Sequence, residues 1–310
     1  MPRVSVCIPT FNGSDFIKEA VYSVQNQDYL DFEIVIVDNC STDKTKTLVK
    51  NLIQEFDNIY FFENKINIGL ARNLNKCVLH SKGEYIKFLC VDDILLQGCL
   101  RKMVNKLDQE PKVSLVCCSR LNIDQFGNCF GERGYSHFSK YEDGKKVINR
   151  CLYGGNFIGE PTATMFRKNQ SNLLLSFRED LPQLMDMQMW FNLLEQGSLY
   201  FIKEPLCSIR IHDYQKTNEN IKKGILIKDN ILLFNEFKNK DYIKKNYLSI
   251  FRHKFMMTYR FWISKKYLKK NYFDEKIKIY GFKNILPLMG IIFFLRKWRK
   301  IFIINLKLFF

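Results

Sequence analysis

Gly83-Glu84-Tyr85-Ile86-Lys87-Phe88-Leu89-Cys90-Val91-Asp92-Asp93 is a largely apolar, β-favouring run that stops on two adjacent carboxylates. Tyr85 to Val91 reads as a buried strand. Ile94-Leu95-Leu96 follows the acids and leads into a helical pattern over Leu96–Leu107. A strand that ends in paired acids places negative charge at the carboxyl edge of a sheet, which is where open α/β folds take their ligands. Adjacent carboxylates repel one another unless a cation lies between them and the ligand. A divalent metal carrying a diphosphate would satisfy both. The same acids could instead cap the helix that follows, and spacing alone leaves the two readings open.

The surrounding chain alternates strand and helix. Arg3 to Ile8 reads as a first strand, broken by Pro9-Thr10-Phe11-Asn12-Gly13. Ser14 or Asp15 can cap the next helix, with Ile17, Ala20, Val21 and Val24 as its apolar stripe. Phe32 to Val37 is a continuous apolar strand of the parallel-sheet kind, and it also ends in an acid, Asp38. Ile59–Glu63 gives a third strand, and a helix follows it with Leu74, Cys77 and Val78 inward. Strand Val113–Ser119 completes a doubly wound α/β pattern. Beyond Leu121 the alternation breaks. Asp124–Asn128 reads as a hairpin turn, Gly131–Lys146 as loop, and Thr164–Arg167 as a short strand. A helix over Met185–Glu195 and strands at Tyr200–Ile202 and Leu206–Ile211 follow. From Asn218 the pattern is helical and basic. One helix should carry Phe251, Phe255, Tyr259 and Trp262 on one side, with Lys254, Arg260, Lys265 and Lys266 beside them.

Charge divides the 310 residues unevenly. Residues 1–214 hold 25 Lys+Arg against 26 Asp+Glu, whereas 215–310 hold 23 against 6. A basic segment interleaved with Phe, Tyr and Trp suits an anionic partner, either a membrane surface or nucleic acid. The ten cysteines form no CxxC pair. Those inside strands, such as Cys7, Cys90, Cys117 and Cys118, read as small buried hydrophobes of a reducing compartment. No charged-then-apolar leader precedes the first strand. The longest apolar run, Ile285–Leu295, is too short to span a bilayer and meets Arg296-Lys297-Trp298-Arg299-Lys300. GxGxxG after the first strand, GxxxxGK[ST] and GxSxG are all missing, which argues against dinucleotide, P-loop and serine-hydrolase chemistry.

Val4–Asn12, Val37–Asp43, Asn67–Asn73 and Leu89–Asp93, taken in order, resemble a family 2 glycosyltransferase of the GT-A fold. Gly159–Ala163, Met185-Asp186 and Glu204–His212 extend the resemblance over residues 1–214. It implies a GT-A domain at 1–214, a Rossmann-like and mostly parallel sheet flanked by helices, and a basic helical extension at 215–310. It also implies a nucleotide-sugar site. Pro9, Thr10 and Phe11 would cradle the base with Asn12 beside them, and Asp38 would bond uracil. Asn67 and Arg72 fall in a nucleotide-contacting motif. Asp92 matches the second acid of the metal-binding DxD motif, whose first acid is Cys90 here, and would hold Mg²⁺ or Mn²⁺. Asp93 is either a sugar contact or a cap. His212 would complete the metal or diphosphate site. Asp186, preceded by Met185 where the family has Glu, would be the general base.

The implied activity is inverting transfer from a UDP-sugar to a lipid-linked or cell-surface saccharide, as in O-antigen or capsule assembly. The enzyme would sit peripherally on the cytoplasmic face of the inner membrane, held by anionic lipid through its basic aromatic tail. Two alternatives remain open. One is a nucleic-acid binder using that tail, although no groove-reading motif accompanies the charge. The other is an inactive homologue, which Cys90 and Met185 would fit.

Overall fold

A computed structural model describes residues 1–168, 176–212 and 215–265. The chain forms two compact units, Met1–Ile148 with Phe157–Asp213, and Asn149–Asn156 with Tyr214–Phe310.

The first unit opens β1 (Val4–Thr10), α1 (Ile17–Gln25), β2 (Phe32–Asp38), α2 (Thr45–Glu55), β3 (Ile59–Glu63) and α3 (Leu70–His80). It continues β4 (Tyr85–Phe88), β5 (Ile94–Leu95), α4 (Cys99–Gln109), β6 (Val113–Ile123), β7 (Cys129–Arg133) and β8 (Lys140–Asp143). Next come α5 (Gly144–Gly154), a 3-10 turn at Pro161–Ala163, β9 (Thr164–Arg167), α6 (Met185–Gln196) and β10 (Ser198–Arg210). One mixed sheet runs β3-β2-β1-β4-β9-β6-β10-β5, with β7 on β6 and β8 on β10. β1 pairs in parallel with both β2 and β4, while β9 lies antiparallel between β4 and β6. The chain winds outward from β1 through β2 to β3, then returns to β1's other side as β4. The β1/β4 boundary is therefore the switch point at which such sheets open a ligand crevice.

Both faces of the sheet are covered. Val4, Val6 and Ile8 pack with Ile17, Val21, Val49, Leu100 and Met103 from α1, α2 and α4. On the opposite face Phe88, Phe166, Phe177 and Trp190 form an aromatic layer with ring centroids 5.4–6.3 Å apart. The alternation of inward side chains along β1 produces this division, and the stripe Ile17, Ala20, Val21, Val24 is wholly buried as its spacing requires.

Four expectations change. The strand of the opening motif ends at Phe88, short of the expected Val91, and Ile94–Leu95, expected to belong to no element, pairs with Cys207–Ser208 of β10. α4 begins only after Gly98, whose left-handed φ of 80° breaks the helical path. The stretch Gly131–Lys146 holds β7, β8 and the start of α5, the last read as loop because Lys145-Lys146 masks the buried stripe Val147, Ile148, Cys151 and Leu152. Finally, β10 is one strand. Pro205 has no N–H to give the ladder, so the register shifts on either side of it, which reads in sequence as a break.

The second unit contains α7 (Lys216–Lys222), α8 (Ile225–Phe237) and α9 (Tyr247–Lys265). On α9, Phe251 and Tyr259 are exposed at 43% and 42%, but Arg260, expected among the solvated cations, is buried. No helix among the described residues is long and apolar enough to cross a membrane. The Ile285–Leu295 run and the cluster after it lie outside the described residues.

Candidate active site

The carboxyl ends of β1 and β2 build one wall. Thr10 and Asp38 are register partners at the last rung of the ladder. Both are buried, and among the described residues Thr10 Oγ1 and Asp38 Oδ1 have no hydrogen-bond partner. Asp38 Oδ2 accepts from Ser41 N at 2.9 Å. A buried hydroxyl and a buried carboxylate oxygen left unpaired side by side are costly unless a ligand's polar edge completes them.

The loops around them are stiffly laced. Asn12, at φ 52°, donates its N–H to Ser41 and accepts from Thr42 N. Gly13 N donates to Thr45, and a Cβ at Gly13 would lie 2.6 Å from Val91 Cγ2. Burial alone would raise the Asp43 carboxyl, but hydrogen bonds from Thr45 and Ser14 outweigh it and hold the pKa down at about 2. Asn39, Asn64, Asn67 and Asn73 share a chain of amide hydrogen bonds. Asn67 Oδ1 is thereby spent on Asn39 and Gly69, so Asn67 shapes this loop. Arg72 is exposed and paired with Glu179 at 2.7 Å. Phe11 stands 47% exposed.

After β4 the chain settles the roles of the paired acids. Asp93 is almost wholly buried. Its Oδ2 accepts from Thr162 Oγ1 at 2.6 Å and its Oδ1 from Arg210 N at 3.0 Å. Thr162 Oγ1 in turn accepts from Cys90 N. Asp93 is therefore a clasp joining three segments. Burial, then the neighbouring Asp92 charge, pushes its pKa well above the ordinary carboxylate range. Asp92 instead turns outward to His212, with Oδ2 and Nε2 3.1 Å apart. Arg210, 2% exposed, bonds Asp92 O, the carbonyls of Asp124 and Gln125, and Glu19. Its guanidinium lies over Phe16, whose ring stacks on His212.

Among the described residues no group of three or more His, Cys, Asp or Glu converges as a metal cage. The Asp92–His212 pair nonetheless fits a Mg²⁺ or Mn²⁺ that takes its remaining ligands from a diphosphate and water, since such sites use one or two protein donors. Beside them, burial, then Asp93 and Asp92, raises the Cys90 thiol well above its ordinary range.

Asp186, in the first turn of α6, has its pKa raised to about 7. Burial is the main cause, opposed by the Met187 N–H and reinforced by Glu160. Glu160 pairs with Arg120 at 2.7 Å and Arg133 at 3.1 Å. Burial works to raise Glu160's pKa, but those two cations hold it low. Cys90 and Asp93 feel the same Glu160. Its charge thus raises the pKa of Asp186 as well as those of Cys90 and Asp93. Sequence reasoning placed Glu160 in a motif without a role and passed over Arg120, an interior β6 residue whose ion pair spans forty positions.

A switch-point crevice lined with acids and lacking a glycine-rich phosphate cradle is the plan of GT-A glycosyltransferases. The chain belongs to glycosyl transferase family 2, whose model matches residues 5–172. It is 31% identical over 212 residues to the GalNAc(5)-diNAcBac-PP-undecaprenol beta-1,3-glucosyltransferase of Campylobacter jejuni, covering 66% of this chain and 63% of that one. Its fold is similar to Staphylococcus aureus TarS 1-349 in complex with UDP-GlcNAc, with a TM-score of 0.57 at 17% identity over 85% of this chain and 82% of that one. It is likewise similar to the mannosyltransferase PcManGT from Pyrobaculum calidifontis in complex with GDP-Man and Mn²⁺, with a TM-score of 0.57 at 17% identity over 94% and 78%. The matched region spans 63–67% of the curated relatives' own length.

Proposed function

We propose that the chain is an inverting, metal-dependent glycosyltransferase that moves a sugar from a UDP-sugar to a lipid-linked or cell-surface saccharide, such as a nascent O-antigen or capsule chain. The observation that carries this reading is Asp186. A carboxyl raised to about 7 is poised to accept a proton near neutral pH, and it shares Glu160 with the acids beside Asp92. The unpaired Asp38 Oδ1 and Thr10 Oγ1 suit the imide edge of uracil, which offers one donor between two acceptors. Asp92 and His212 would hold the divalent metal, which neutralises the charge leaving with the diphosphate. Asp186 takes the proton of the attacking hydroxyl, and a single displacement inverts the anomeric centre. The lipid-linked acceptor named for the Campylobacter relative supports an acceptor of the same kind. The charge excess of residues 215–310 supports peripheral attachment to the cytoplasmic face of the membrane.

The test is a screen of UDP- and GDP-sugars for nucleotide release with Mg²⁺ or Mn²⁺, with and without lipid-linked acceptors. Metal-dependent release from a UDP-sugar supports the reading. Release only from GDP-sugars, or none from any donor, overturns it.

A further inference from the structure

Among its described residues, the second unit buries polar groups without hydrogen-bond partners. Along α9, His253, Met257, Arg260 and Ser264 recur at spacings of three and four and so share one helix face. Arg260 is 9% exposed, and its one hydrogen bond is a 3.7 Å contact to Met257 Sδ. No carboxylate pairs with it among the described residues. Ser264 Oγ, on the same face, is buried without a partner among the described residues. His253 is stacked on Phe234 at 3.8 Å, with Tyr153 edge-on.

The end of α5 runs alongside within the same unit. Arg150 lies close enough to depress the guanidinium of Arg252, after burial itself. Gly155, at φ 114°, comes so near Arg260 that an added Cβ would lie 3.1 Å from Nη2. Any side chain there would press on the guanidinium, so the glycine keeps space open in front of it. Burial lowers Arg260 to about 10, and burial with Arg260's charge lowers His253 to about 4. The imidazole is therefore neutral at physiological pH and adds no repulsion.

An unpaired buried guanidinium is among the costliest features a fold can carry, and buried polar groups without partners call for a missing ligand. A planar, always-charged fork matches phosphate oxygens in pairs. We propose that this face of the second unit is a binding site for a phosphate or diphosphate group, with Arg260 as its anchor, Ser264 as a further hydrogen-bonding group, and Arg252 and Arg150 supplying field. It is separate from the Asp92 site and does not depend on the transferase reading. If that reading holds, the phosphate belongs either to the lipid-linked acceptor or to a phospholipid headgroup.

The test uses the full chain in EDTA, so that no metal recruits anions to Asp92. Inorganic pyrophosphate is titrated while the melting temperature is followed, for the wild type and for Arg260→Met and Arg260→Lys. Pyrophosphate should raise the wild-type melting temperature, and both variants should bind it at least tenfold more weakly. Arg260→Met should also melt higher than wild type in the absence of anion, because it removes an uncompensated charge. Binding unchanged in Arg260→Met overturns the site. Should Arg260→Met fail to fold, Arg260→Lys decides: tenfold weaker binding supports the site, and unchanged binding overturns it. Metal-dependent release of UDP should be retained in either variant that folds, so its loss from wild type overturns the transferase reading alone. Vesicles of phosphatidylglycerol that compete with pyrophosphate, when phosphatidylcholine vesicles do not, assign the phosphate to a lipid headgroup. Competition by neither leaves the lipid-linked diphosphate as its source.

Discussion

A single carboxyl held at about 7 ties rate to acidity. With Asp186 as base, turnover should rise as pH climbs through about 7. Asp186→Asn should lower kcat roughly 100-fold and flatten that rise, with UDP affinity kept within a few-fold. Collapse of UDP affinity would instead make Asp186 a structural residue. Stability should move the other way. A carboxyl raised from 3.8 to about 7 favours the fold fully below 3.8 and ceases to do so above about 7. The asparagine variant should therefore melt higher than wild type at about pH 8, with the gap closing towards about pH 4. Asp92→Asn should abolish metal-dependent nucleotide release yet leave the melting temperature near wild type, since Asp92 is not part of the Asp93 clasp. Near-normal turnover of that variant with Mn²⁺ would remove Asp92 from the metal site. The two acids were legible as a pair in the sequence. The clasp that Asp93 forms was not, because it depends on Thr162 and Arg210 arriving from far along the chain.

At the scale of elements, the 3-10 turn Pro161–Ala163 does more than connect. Thr162 accepts from Cys90 N and donates to Asp93, while its carbonyl receives the Lys87 ammonium. Thr162→Val keeps the shape and orphans two buried groups, at a cost of about 1–3 kcal/mol. Urea unfolding should show that loss together with a weaker apparent metal affinity, as the Asp92 loop slackens. A stability loss with metal affinity untouched would confine Thr162 to the core. β3 and β9 match their expected bounds, and α6 agrees to within a residue. β5, β7 and β8 were not readable, since β5 is two residues long and β7 and β8 are largely exposed, so none has a buried apolar run to mark it.

For the whole molecule the dominant feature is the separation of charge, near neutral to residue 214 and strongly basic beyond it. Each cation near an anionic surface contributes about 1 kcal/mol and is screened by salt. Truncation after Asn284 should thus reduce sedimentation with phosphatidylglycerol vesicles while leaving UDP-sugar hydrolysis intact. Raising salt should weaken, without abolishing, binding of the full chain. Vesicle binding unchanged by truncation would make the segment a packing or oligomer contact.

The order of the strands also bears on synthesis. β4 lies in the middle of the finished sheet, yet one of its two neighbours, β9, is made about eighty residues later, a wait of about 4–16 s at ordinary translation speeds. During that interval β4 is an open edge, the kind of surface that recruits strands from other nascent chains. Lys87 lies on that edge strand and is fully buried in the finished sheet. Its ammonium is later taken up by the carbonyls of Thr162 and Thr164, the residues that deliver the missing strand. The segment that closes the open edge is thus also the one that neutralises the charge buried beside it.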